Sequence, residues 1–122
     1  LLEGLPDEFV EQGWQEVESS LKDMMELQRR HDFHFVIMGF PMAEQVLREH
    51  PQAQYPARLK RIAEKLGIPF IDLQPAFKRE FEGFGSLFIE WDGHPNPRAY
   101  RIVAEELSRV LVPMLKSQQG SC

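Results

Sequence analysis

Two short apolar runs constrain this chain more than anything else in it. The first is Phe33-His34-Phe35-Val36-Ile37-Met38 and the second is Ile68-Pro69-Phe70-Ile71-Asp72-Leu73. Both are rich in β-formers and bounded by breakers: Gly39 and Pro41 follow the first, Gly67 precedes the second. Between them Leu59, Ile62, Ala63 and Leu66 recur at helical spacing. That spacing predicts a helix over residues 56–66 with Gly67 as its C′ residue. Strand, helix, strand is a βαβ unit, so the two runs are expected to pair in parallel through a right-handed crossover. Parallel strands are buried on both faces, and the remaining chain has to supply the cover. The expected fold class is therefore α/β, with strands near 33–38 and 68–73.

The flanking segments read mostly as that cover. Val10, Trp14, Val17, Leu21, Met24 and Met25 recur at helical spacing. They predict one long amphipathic helix, with Pro6 and Asp7 in its first turn and an end near Arg30. Its Trp/Met stripe is expected in the core. Arg29, Arg30 and His31 suit the negative end of its dipole. Short helices are expected over 43–49, ended by His50-Pro51, and over 75–81. The basic side chains Arg58, Lys60, Arg61 and Lys65 read as a solvated face, and His34 as a packed or edge histidine. Gly39-Phe40-Pro41-Met42 is the loop at a strand's C-terminal end, where α/β folds place ligands. Gly83 and Gly85 read as a loop.

A last helix opens at Asn96-Pro97, with Asn as N-cap and Pro at N1. Its expected packed face is Tyr100, Val103, Ala104, Leu107, Val110 and Leu111, and Pro113 is expected to end or kink it. Residues 1–5 and 116–122 are expected to be disordered. Neither an internal repeat nor a domain boundary is visible, and 122 residues suit one domain.

Charge and composition exclude several functions. The formal net charge is -5, whereas a nucleic-acid binder needs a clustered Lys/Arg surplus. The same balance argues against an anionic membrane surface. No apolar run approaches the ~20 residues of a membrane span. No basic n-region with an apolar stretch opens the chain, so no compartment is assigned. Leu1 in place of Met reads as a chain cut from something longer, from which a signal could have been lost. The single cysteine, Cys122, cannot form an internal disulfide.

Chemistry concentrates in Trp91-Asp92-Gly93-His94-Pro95-Asn96-Pro97. An acid and a histidine two residues apart, just before a helix start, can form a general base with its orienting carboxylate. On the pattern alone, the competing reading is Asp92 capping a turn beside a surface histidine. A metal site from Asp92, His94 and His34 is a further alternative, with no Cys pair or His-x-x-x-His to support it. No metal and no cofactor is expected.

The Asp92-Gly93-His94-Pro95-Asn96 block, followed by Tyr100-Arg101-Ile102-Val103-Ala104-Glu105, resembles the last conserved block of the SGNH/GDSL hydrolases. Gly67-Ile68-Pro69-Phe70-Ile71-Asp72-Leu73 resembles that family's penultimate strand. Phe35-Val36-Ile37-Met38-Gly39-Phe40-Pro41 resembles the strand and proline loop before it. The likeness runs in the family's order from about Trp14 to Leu111. It implies part of a three-layer α/β/α, flavodoxin-like sandwich. It implies ester or acyl hydrolysis, with Asp92 as orienting acid and His94 as general base. The implied substrate is an ester, an acetylated sugar or a lipid.

The family's Gly-Asp-Ser nucleophile block and its Gly-x-Asn-Asp block have no counterpart here. Of the serines, only Ser86 lies near the motif. Alone, the chain is expected to be inactive, and a non-catalytic interaction or dimerisation module is the alternative function. An unpaired edge on the 33–38 strand would invite a homodimer.

Overall fold

In the computed structural model, residues 6–48 and 55–119 are described. The lead at 1–5, the helix stop at His50-Pro51 and the last three residues of the expected tail lie outside them. The chain is mixed α/β and mostly helical. Its elements are α1 (Asp7–His31), β1 (Ile37–Gly39), α2 (Ala43–Leu47), α3 (Ala57–Leu66), β2 (Phe70–Asp72), α4 (Gln74–Glu80), α5 (Phe84–Leu87) and α6 (Pro97–Gln119).

The βαβ unit forms. β1 and β2 pair in parallel, with Ile37 opposite Phe70, Met38 opposite Ile71 and Gly39 opposite Asp72. Both strands are shorter than the runs predict, three residues each rather than six. Pro69 gives the reason at one end. It accepts from the Ile37 N–H at 2.9 Å but has no N–H to carry the ladder back toward Phe33. Phe33 and His34 are accordingly exposed coil, not buried strand. Gly39 is fixed by packing: a Cβ there would stand 2.8 Å from the Phe70 ring. α3 ends as expected, with Gly67 left-handed at φ 72 and its N–H donating to Ala63 and Glu64.

The core lies around one side of this pair. Ile71 joins Leu73, Ala76, Phe77, Leu87, Phe88, Ala99, Ile102 and Val103 in one buried cluster, with Met38 packed against it. Phe77 and Phe88 are fully enclosed, their rings 6.0 Å apart and tilted, the arrangement aromatic pairs favour. α6 faces this cluster with Ala99, Ile102 and Val103. Of its expected face, Val103 is buried and Leu107 and Val110 pack against the cluster, whereas Tyr100 and Ala104 are exposed. The helix also runs through Pro113 to Gln119, so residues 116–119 are helical, not disordered. Proline deletes one helix bond there but the segment is exposed, where water can take the freed carbonyl. The Gly83–Gly85 stretch is not a plain loop either, since Phe84–Leu87 makes one helical turn. Leu87 anchors that turn in the core.

α1 departs furthest from expectation. None of its residues is buried. It is held to α3 by side chains at a constant offset: Arg58 donates to both Glu11 oxygens at 2.5 and 2.6 Å, and Lys65 to Glu18 at 2.6 Å. The Arg58 guanidinium also lies over the Trp14 ring, 5.4 Å from its centroid. Both ion pairs join residues 47 apart, so the helices run side by side in the same direction. Arg58 and Lys65 are thus fasteners, not merely a solvated face. Leu66, the end of α3, falls level with Ser19. The twelve residues from Ser20 to His31 then project beyond it by about 18 Å, at the helical rise of about 1.5 Å per residue. Residues 32–36 then lead the chain to β1.

Candidate functional site

The motif loop is held at both ends by the core. Phe88, 2% exposed, makes an isolated antiparallel bridge with Pro95. Ile89 N–H donates to the His94 carbonyl at 2.8 Å, and Asn96 N–H donates to the Leu87 carbonyl at 2.8 Å. Within the loop, Gly93 N–H returns to the Ile89 carbonyl at 3.0 Å. The result is a closed turn over 89–94 on a two-point base.

Asn96 fastens the far end twice. Its Oδ1 accepts from the Ala99 N–H at 3.0 Å, the N-cap bond that the sequence predicts. Its Nδ2 donates to the Gly85 carbonyl at 3.2 Å, tying the helix start to α5.

The turn brings the two predicted site residues together. His94 Nδ1 and Asp92 Oδ1 are hydrogen-bonded. The carboxylate at Nδ1 favours the tautomer with its proton there, which leaves Nε2 as the acceptor. No partner for Nε2 is found among the described residues. The pair is solvent-facing, with 76% of the His94 side chain and 50% of the Asp92 side chain exposed. Each group moves the other. The hydrogen bond to His94 lowers the Asp92 pKa, and the bond to Asp92 raises that of His94.

Among the described residues, no serine is shown bonded to this pair. The Ser86 hydroxyl donates to the Gly83 carbonyl at 2.6 Å and accepts the Glu82 N–H at 3.0 Å, closing its own turn. Ser108 donates to the Ala104 carbonyl at 2.7 Å and Ser117 to the Met114 carbonyl at 2.9 Å, both within α6. Ser19 and Ser20 lie on α1. As for a metal, no three His, Cys, Asp or Glu side chains converge among the described residues. His34 sits in the coil before β1, on a different segment from the motif turn.

Trp91 opens the motif, but the sequence did not place its side chain. It has φ 68, in the left-handed region, and it is 101% exposed. A bulky residue held there costs on the order of 1–3 kcal/mol. Leaving the indole in water also forgoes burial worth roughly 1.5–3 kcal/mol for a large apolar side chain. The available signal was the Asp92-Gly93 pair behind it, a turn dipeptide that forces a reversal. Trp91, Glu90, Asp92, Gly93 and Phe84 line one open depression.

No family model, curated protein or solved structure matches this chain.

Proposed function

We propose that the chain carries the general-base half of an SGNH/GDSL-like ester-hydrolase site. The observation that carries the reading is the Asp92–His94 bond, which engages Nδ1 and leaves Nε2 facing solvent. In the proposed reaction Nε2 takes the proton of a serine hydroxyl as its oxygen attacks the ester carbonyl. The same proton passes to the leaving alcohol, and water then releases the acid. Asp92 keeps the imidazole in the required tautomer throughout.

The serine comes with a further segment, from a second copy or from elsewhere in the protein. β1 is suited to receive it. Ile37 and Gly39 bond to β2 through Pro69 and Leu73, so strand alternation turns the Met38 N–H and C=O to the other edge. A strand added there would begin the wider sheet of a three-layer sandwich, with a homodimer as one form of it.

A second reading, a non-catalytic interaction module of the same fold, is favoured by one observation. The Ser86 hydroxyl, the nearest in sequence to the pair, is already committed to its own turn. The two readings separate on intact-mass labelling of the native protein with a fluorophosphonate, which modifies activated serines. The hydrolase reading predicts a mass shift that His94→Ala abolishes while the fold persists by circular dichroism. Absence of any shift, with no ester turned over, would overturn it in favour of the interaction module.

A further inference from the structure

We propose that the exposed strip of α1 binds a second copy of this chain, helix against helix and antiparallel. The inference uses none of the motif residues and does not depend on the hydrolase reading. At about 100° per residue, Phe9, Gly13, Val17, Ser20, Met24 and Leu27 fall in one arc of roughly 80° on α1. No Asp, Glu, Lys or Arg falls in that arc. Phe9, Val17, Met24 and Leu27 are all exposed. The contacts to α3, from Glu11, Trp14 and Glu18, lie roughly a third of a turn away. A helix packed on one side normally carries charge on the rest, whereas α1 keeps an uncharged apolar strip outside its packed face. Gly13 is a separate observation in the same strip. Glycine weakens a helix interior, yet a Cβ at Gly13 would meet nothing within 4 Å. Nothing among the described residues asks for glycine there; close approach of another backbone does.

A second copy fits the strip in shape and in charge. The arm from Ser20 to His31 projects beyond α3, so two arms can lie side by side with the rest of each copy at opposite ends. Antiparallel about a two-fold axis at Lys22, Val17 comes level with the partner's Leu27, and the small Ser20 with the partner's Met24. Leu21, half-buried, borders the strip and is covered in the same step. Charge selects the direction. Glu16, Asp23 and Arg30 recur every seven residues along one border of the strip. In the antiparallel register each Arg30 comes within one turn of the partner's Glu16. That gives two opposite-charge pairs against one contact between the two Asp23 side chains near the axis. A parallel pair would set all three residues against their own kind. Arg30 is held in its own chain by Glu26, through an exposed pair that contributes little and is readily exchanged.

The overlap runs over residues 13–31, about 28 Å of helix, which is at the small end of specific interfaces. Dissociation is therefore expected in the micromolar range, and sedimentation equilibrium of the intact chain from roughly 1 μM to 1 mM reads it. Within one copy Met24 and Leu27 support little, so variants there leave the dilute melting curve unchanged and report association alone. The wild type should form dimers and no larger species. Met24→Glu or Leu27→Glu should weaken them roughly a hundredfold, by placing a charge against an apolar partner. Glu16→Arg or Arg30→Glu should weaken them roughly three- to tenfold, and both changes in one chain should restore the wild-type value. Asp23→Asn should tighten the pair. Amide exchange over 17–28 should slow as concentration rises. The proposal is overturned if the chain stays monomeric throughout, or if Met24→Glu dimerises as well as the wild type. It is equally overturned if concentration protects the Met38 amide in β1 and leaves α1 unchanged, since the copies would then meet at the strand edge. Charge reversals without effect, or a double reversal that fails to restore, would remove the antiparallel register.

Discussion

The two long helices make opposite use of similar sequence patterns. α1 spans 25 residues and α6 spans 23, and both carry apolar residues at helical spacing. α6 puts Ala99, Ile102 and Val103 into the core, and its first turn fixes the motif loop. α1 leaves Val10, Trp14, Leu21 and Met25 only half-buried and is fastened to α3 by Glu11–Arg58, Glu18–Lys65 and the Arg58–Trp14 contact. An amphipathic pattern states that a face seeks cover; it does not state that cover is at hand. The region that carries the candidate chemistry is the one that found its cover, and a turn anchored at Phe88 and Asn96 can hold two side chains in register.

The largest effect that separates the two regions is a core deletion. Phe88→Ala should destabilise by about 3–5 kcal/mol, because it opens a cavity against Phe77 and frees the loop from its bridge. Met24→Ala, on the exposed part of α1, should cost below about 0.5 kcal/mol. Chemical denaturation of both variants checks this, and equal losses would break the contrast. Next comes Asn96→Ala, expected to cost about 1 kcal/mol as a lost N-cap. Loss of the bond to Gly85 should also speed amide exchange over 85–94.

Smaller again is the α1–α3 fastening. Arg58→Ala should cost on the order of 1 kcal/mol or less, since the pair is partly exposed. Raised salt should shrink that difference, because screening weakens the wild-type pair. Lys65 and Lys22 hold the Glu18 carboxyl at about 2. A lowered pKa means the attachment is intact above the usual carboxylate range and is lost only as pH falls toward that value. Native mass and exchange rates along α1 at descending pH follow it.

Much of the candidate site was legible because its chemistry is local. Asn96-Pro97 announces a helix start wherever it occurs, and Gly67 announces a helix end. Parallel pairing followed from strand, helix, strand alone. What stayed hidden depends on partners distant in sequence. The length of β1 is set by what Pro69 can offer, and the burial of α1 by whether another surface lies against it. At the start of α6, Ala99 and not Tyr100 lies in the core cluster. Trp91 was hidden for another reason. An aromatic before Asp-Gly suits a core as well as a surface, and only the closed turn decides.

The smallest effect on stability belongs to Asp92 and His94, and it has a definite sign. The His94 pKa is raised, so its contribution is complete below its ordinary value of 6.5 and is lost as pH climbs through the folded value. The Asp92 pKa is lowered, so its contribution is complete above 3.8 and is lost as pH falls through the folded value. The most direct test of the account follows these groups by nitrogen-15 NMR of the His94 ring from pH 5 to 9, in wild type and Asp92→Asn. The account predicts a neutral ring protonated at Nδ1 with a bare Nε2, titrating above 6.5, and a titration that moves down when the carboxylate is removed. A neutral ring protonated at Nε2, or a titration unchanged in Asp92→Asn, would contradict it.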